Sequence, residues 1–285
     1  PDVPEWRQYQ ATRPTEDQVL TWYATPRTGL GILTGKVSGV EMLELEGRAV
    51  AEGLDHELRR LADAAGLGEV LDRVMRGYLE ETPRGGFHVI YRVATPRPNT
   101  KLASRPPTPE ERAAHPGTTK IALIETRGEG GYVVTAPSNG RVHPEGGSWR
   151  LVSGGFSHIA TISDDERDAL FALARSLDAM PVEEVRRPGV DRVDDRGRPG
   201  DRYNQAPDVQ ERTVALLERH GWTLVYQKAG TAYLRRPGKP PPGISATVGH
   251  IAPGVVRVFT TAAELPEGAH DAFGVFARLE HGGDF

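Results

Sequence analysis

Three short segments of this 285-residue chain alternate apolar and polar residues with a period of two, and each is punctuated by glycines: GILTGKVSGVEMLELEG (31–47), PRGGFHVIYRV (83–93) and KIALIETRGEGGYVV (120–134). Two is the side-chain period of a β-strand, so these stretches predict a sheet with one apolar and one polar face. Residues 29–46 read as two strands joined by a Gly/Ser turn, and 83–93 as a glycine turn opening a strand. Residues 120–138 read as strand, turn, strand. Between them the period changes. From Arg48 to about Glu81 the apolar residues Val50, Leu54, Leu58, Leu61, Leu67, Val70, Leu71 and Val74 recur at helical intervals, which predicts two helices broken near Gly66 and Gly68. Residues 94–119 are proline-rich and read as a long loop. Ser163 and Glu166 form a capping-box pattern ahead of a helix from Asp164 to about Leu177.

Residues 181–202 (PVEEVRRPGVDRVDDRGRPGDR) are nearly all charge, proline and glycine, with too little apolar surface to offset the entropy of ordering them. A linker is expected there, between a unit at 1–180 and a smaller one at 203–285. In the second unit Asp208 opens a helix ending at His220, residues 222–228, 231–236 and 255–260 read as strands, and a last amphipathic helix carries Phe273, Phe276 and Leu279. The fold class expected is α/β (α+β), a mixed sheet with flanking helices, followed by a small α+β domain.

Composition narrows the chemistry. The chain has no cysteine, which excludes disulfides, thiol nucleophiles and Cys-ligated zinc. A net charge of −4 excludes a wholly basic, DNA-coating protein. No apolar run reaches the length of a membrane span and no signal-peptide pattern is present, so no membrane association and a cytoplasmic location are expected. The GILTGKVSG stretch fails as a phosphate-binding loop, because Leu30 stands at the first glycine position and Val37 follows Lys36. There is no Gly-x-Ser-x-Gly elbow and no His-x-x-x-His pair.

The polar faces of the predicted strands are more informative. Alternation puts Leu43 and Leu45 on one face and Glu44 and Glu46 on the other. Residues two apart on a strand are separated by roughly 7 Å, so their carboxylates can converge on divalent cations held about 4 Å apart. In the second segment Phe87, Val89, Tyr91 and Val93 form the apolar face and His88 lies opposite, away from the core. In the third, Glu125 and Arg127 share a face before the turn Gly128–Gly131, a tight connection that calls for positive φ.

The ordered set GILTGKVSGVEMLELEG, TPRGGFHVIYR and IETRGEGGYVVTAPS resembles the bifunctional primase-polymerase (prim-pol) domain of the archaeo-eukaryotic primase superfamily, as found in phage and plasmid replication proteins, over roughly residues 15–178. The resemblance implies an acid-x-acid pair at Glu44 and Glu46, a third acid at Glu125, and Mg²⁺ or Mn²⁺ held by these three for two-metal nucleotidyl transfer on a single-stranded DNA template. It implies that His88 binds the triphosphate of an incoming nucleoside triphosphate. The family usually carries aspartate where Glu44 and Glu125 stand; glutamate keeps the charge and adds a methylene. Arg127 is placed to neutralise further phosphate charge, and Arg84, Lys101, Arg105 and Ser138 are weaker candidates for nucleotide or template contacts.

The stretch GWTLVYQKAGTAYLRRPGKPPPGISATVGH resembles a segment that follows such domains ahead of a helicase, which makes a helicase domain or partner an expectation. Lys228, Arg235, Arg236 and Lys239, interleaved with Trp222, Tyr226 and Tyr233, would track a nucleic-acid backbone and stack bases. Two other functions fit the same acids: a nucleotide- or DNA-binding replication module without catalysis, and a metal-dependent nuclease.

Overall fold

A computed structural model describes residues 6–26, 29–180, 199–228, 230–260 and 262–283. Most of the expected linker, 181–198, lies outside the described residues, and 199–202 open a helix (Pro199–Asn204) instead. In the first unit the strands are β1 (Leu30–Leu33), β2 (Val40–Leu45), β3 (Tyr78–Glu81), β4 (Phe87–Arg92), β5 (Thr100–Arg105), β6 (Ile121–Arg127), β7 (Tyr132–Thr135) and β8 (Arg150–Gly154). The helices are α1 (Glu16–Trp22), α2 (Gly47–Ala51), α3 (Leu54–Ala64), α4 (Gly68–Gly77), α5 (Pro109–Ala114) and α6 (Asp164–Arg175).

Six strands form one sheet in the order β5-β6-β2-β4-β3-β8, and β1 pairs with β7 in a separate two-stranded sheet. The α/β class holds. The sheet is not mixed, however: every pairing between these strands is antiparallel. The strand, turn and strand expected at 120–138 are present as β6 and β7, which do not pair with each other: β6 joins β2 and β5, while β7 pairs with β1.

The two faces of the large sheet are buried differently. Leu43, Leu45, Val89, Tyr91, Leu123 and Ile124 pack with Leu58, Leu61, Leu71 and Val74 of α3 and α4 and with Leu170 and Leu173 of α6, forming the main core. On the opposite face Val40, Met42, Tyr78 and Ile90 make a smaller core with Val133 of β7 and Ile32 of β1. The two-stranded sheet therefore covers part of this second face. Each well-buried aliphatic side chain contributes about 1.5–3 kcal/mol, which is what makes the strand register unambiguous.

Two elements replace the expected 94–119 loop: β5, whose Leu102 and Ala103 are buried, and α5, started by a Thr108–Glu111 capping box. The capping box at Ser163 and Glu166 is present as read, with Glu166 N donating to Ser163 Oγ at 3.1 Å. A buried pair ties α6 to β2: the Arg167 guanidinium donates to Glu41 Oε1 at 2.9 Å, and Glu41 also accepts from the Tyr91 hydroxyl at 3.1 Å.

The second unit holds α7 (Pro199–Asn204), α8 (Val209–Arg219), α9 (Ala272–His281) and five strands, β9 (Thr223–Lys228), β10 (Thr231–Arg235), β11 (Ala246–Val248), β12 (Val256–Val258) and β13 (Gly268–His270), in the antiparallel order β13-β12-β11-β10-β9. It has its own core, including Leu216, Leu217, Trp222, Leu234, Val248 and Val256. It also places Tyr233, Ile244 and Phe259 in the main core of the first unit. Polar contacts reinforce the seam: Gly243 N donates to Ala65 O at 2.8 Å, and Arg257 pairs with Asp178 at 3.2 Å. No helix among the described residues is long and apolar enough to cross a membrane.

Candidate active site

The ladders of the large sheet align five charged residues in one cross-strand row. Lys101 of β5 faces Glu125 of β6, Glu125 faces Glu44 of β2, Glu44 faces His88 of β4, and His88 faces Glu80 of β3. Directly opposed residues in a sheet share a face and lie close enough to interact. The row falls on the same face as Met42 and Ile90, two residues further along their strands, where the face is no longer filled by apolar side chains.

Glu46 sits just past the end of β2, where its amide donates to Leu123 O at 3.0 Å and its side chain stays on the Glu44 face. Close approach of the β3–β4 turn pins this strand end. A Cβ on Gly86 would lie 2.5 Å from Leu45 O and 2.8 Å from Gly47 N, so the glycine pair after Arg84 is there to let the turn touch the acid strand. Gly85 adopts φ 74°, the left-handed conformation that lets the turn close.

Carboxylate oxygens of Glu44, Glu46 and Glu125 lie within 4.8 Å of one another. Their electrostatics are uneven. Burial works against ionisation of Glu44, but hydrogen bonding and charge from His88, with help from Arg127, hold its carboxyl below the ordinary range. Burial, then repulsion from Glu44, pushes Glu46 up, and burial pushes Glu125 up against the opposing pull of Arg127. Three oxygen-donor carboxylates, two of them reluctant to ionise side by side, suit a hard divalent cation such as Mg²⁺ or Mn²⁺, which takes oxygen ligands and relieves the repulsion.

His88 is 5% exposed, which corrects the expectation that it stands clear of the protein interior. Its Nε2 lies 3.4 Å from Glu44 Oε1 and its Nδ1 lies 2.7 Å from Glu80 Oε1. Burial disfavours its charge, yet hydrogen bonds to Glu44 and Glu80 raise His88 to about 9, leaving it a cation at neutral pH. Glu80 was missed in the sequence because the helical spacing after Val70 was carried through to Glu81. The helix stops at Gly77, and Tyr78 is already extended, with φ −158°. The signal available was the alternation in YLEE: Leu79 joins the main core, while Tyr78 packs on the opposite face.

The remaining candidates separate clearly. Arg127 pairs with Glu125, and Lys101 is exposed opposite Glu125 at the outer end of the row. Arg84 lies on the turn that touches Gly47, with its guanidinium donating to Glu145. Arg105 is engaged elsewhere, donating to Glu111 at 2.6 Å and to Glu52 at 2.9 Å. The buried Ser138 hydroxyl accepts from Leu30 N at 2.7 Å and donates to Leu30 O at 3.1 Å, so it fastens β1 to the segment after β7. In the Gly128–Gly131 turn only Gly130 has the expected positive φ, 76°, while Gly128 is needed because Arg97 O lies against it.

The second-unit cluster is not a stacking platform. Trp222 and Tyr233 are 4% and 5% exposed, and the Tyr226 ring packs on Tyr233 with centroids 5.6 Å apart. Arg235 donates to Gly243 O at 3.1 Å, Arg236 to Pro237 O at 3.0 Å and Lys239 to Ile244 O at 3.2 Å, which staples the 236–244 loop. The side chain of Lys228 lies outside the described residues.

The sheet is antiparallel and backed by helices, and on one face three carboxylates, Glu44, Glu46 and Glu125, converge closely enough that they could hold a divalent cation, with Arg127 beside them. A family model described as "Bifunctional DNA primase/polymerase, N-terminal" matches residues 3–165. The chain belongs to that family, so it carries a nucleotidyltransferase domain of primase/polymerase type, whose substrates are DNA and nucleotides. No curated protein matches the chain.

Proposed function

We propose that this protein is a DNA primase-polymerase that makes and extends primers on a single-stranded template in phage or plasmid replication. The observation that carries this reading is the cross-strand row in which Glu44 and Glu125 meet beside Glu46, flanked by His88 on one side and by Arg127 and Lys101 on the other. Glu44, Glu46 and Glu125 are the residues that would hold Mg²⁺ or Mn²⁺. Such ions, when bound, lower the pKa of an attacking 3′-hydroxyl and stabilise charge on the leaving pyrophosphate.

The chain's own residues supply the rest. His88 turns a ring edge, Nε2, to the acids, where it is suited to donate to triphosphate oxygens. Arg127 and Lys101 add positive charge at the other end of the row. The second unit, closed against the first by a shared core, is proposed to support the fold and to present a surface to a helicase domain or partner rather than to stack bases.

The test is incubation with single-stranded template, labelled nucleoside triphosphates and Mn²⁺, with products resolved by size. Products longer than any input, lost without the cation and lost in Glu44→Gln, are expected. Shortening of DNA without triphosphates would instead establish a nuclease, and nucleotide binding without either product a non-catalytic module.

A further inference from the structure

Glu80 carries no role in the reading above, yet it is 0% exposed and lies opposite His88 in the β3–β4 ladder. Its two oxygens are divided between partners. Oε2 accepts from the Tyr78 hydroxyl at 2.8 Å and from Ala136 N at 2.7 Å, which leaves Oε1 for His88 Nδ1 at 2.7 Å. The first two bonds anchor the carboxylate to β3 and to the segment following β7, so it cannot swing away from the imidazole.

A carboxylate offers only acceptors, so the ring nitrogen that meets it carries the hydrogen. Turning the ring over would exchange Nδ1 for a carbon and place C–H against the buried carboxylate, and the same flip would withdraw Nε2 from the Glu44 side. We propose that Glu80 is a positioning residue that locks the His88 ring with Nδ1–H on itself and Nε2 directed at the acid cluster, where the nucleotide phosphates are read. This rests on the assignment of His88 to the triphosphate. Buried carboxylate–imidazole pairs elsewhere orient ligating or catalytic histidines in the same way.

The experiment is steady-state extension of oligo(dT) on poly(dA) with Mn²⁺ and dTTP or UTP, for wild type, Glu80→Gln, His88→Ala and the double variant. Glu80→Gln should raise the nucleotide KM about 10-fold while kcat changes less than about 3-fold. Added to His88→Ala, it should change KM less than about 2-fold, because the ring it positions is gone. A KM effect of Glu80→Gln that is the same with and without His88 overturns the proposal, as does an unchanged KM in Glu80→Gln when His88→Ala raises it. An unchanged KM in His88→Ala overturns the triphosphate assignment and the proposal together. Histidine-ring nitrogen NMR of the unmodified protein needs no variant to fold: a protonated, slowly exchanging Nδ1–H on His88 is expected, and an Nδ1 without a proton overturns the proposal even if neither nucleotide is incorporated.

Discussion

Glu44 and Glu125 face each other directly across the β2–β6 ladder, two carboxylates in a position where like charges oppose folding. The sheet tolerates the pair because Glu44 has His88 on its other flank and Glu125 has Arg127 and Lys101. Part of the repulsion remains, and Glu46 adds to it. The site is thus under electrostatic tension that a bound cation would relieve.

Glu46→Gln removes one of the three charges without breaking a close ion pair, since its nearest partner, Arg48, lies 3.6 Å away. Extension activity is expected to fall about 100-fold or more. The metal-free variant should melt no lower than wild type, and Mn²⁺ should raise the melting temperature of wild type more than that of the variant. Differential scanning fluorimetry with and without Mn²⁺ reads both; a large loss of metal-free stability would mean that Glu46 is a structural residue.

Arg167→Met leaves Glu41 buried without its cation and is expected to cost about 3–5 kcal/mol in urea denaturation. Burial already holds Glu41 above the ordinary carboxylate range, offset by the Arg97 amide, Arg167 and Tyr91, so losing Arg167 moves it further up. A carboxyl raised in the folded state binds its proton more tightly there than in the unfolded chain. The stability it contributes is therefore intact below its ordinary value of 4.5 and is lost as the pH rises through the folded value. The deficit of the variant should accordingly be larger at pH 8 than at pH 5, and equal deficits at both would refute the pairing.

Arg105 holds the Glu111 carboxyl down to about 2. Carbon-detected NMR titration of wild type should find Glu111 still ionised well below the usual carboxylate range, and Arg105→Ala should return it toward 4.5. Nucleotide KM should not change in that variant, because Arg105 is engaged with Glu52 and Glu111; a rise would bring it back as a substrate contact.

The shared core makes the two units interdependent. Residues 1–180 and 199–285, produced as separate chains and mixed, are expected to co-elute in size-exclusion chromatography, because Tyr233, Ile244 and Phe259 complete the main core. Produced alone, 1–180 should bind a hydrophobic dye and melt below the full chain. Independent elution with unchanged melting would show the seam to be incidental.

Local pattern was enough to find the strands that carry the acids. Alternation in VEMLELE and FHVIYR separated Leu43, Leu45, Val89 and Tyr91 from Glu44 and His88, because a strand exposes its side chains to two environments in turn and burial punishes any slip of one residue. The Ser163 cap and the glycine pair at 85–86 were legible for the same reason, since each satisfies a requirement of its own few residues. Which strands become neighbours is not a local property. Glu80 meets His88 only because β3 pairs with β4, and β6 abandons the nearby β7 to stand beside β2, so the row of charges exists only in the assembled sheet. The aromatic residues at 222–233 teach the converse: their spacing among cations suggested an exposed stacking surface, but Trp222 is buried in the second unit's own core and Tyr233 in the core that the two units share, where burial gains more. Period and punctuation assign a residue to a face, whereas its partner across the face is chosen by long-range pairing and packing, where the free energy of burial is collected.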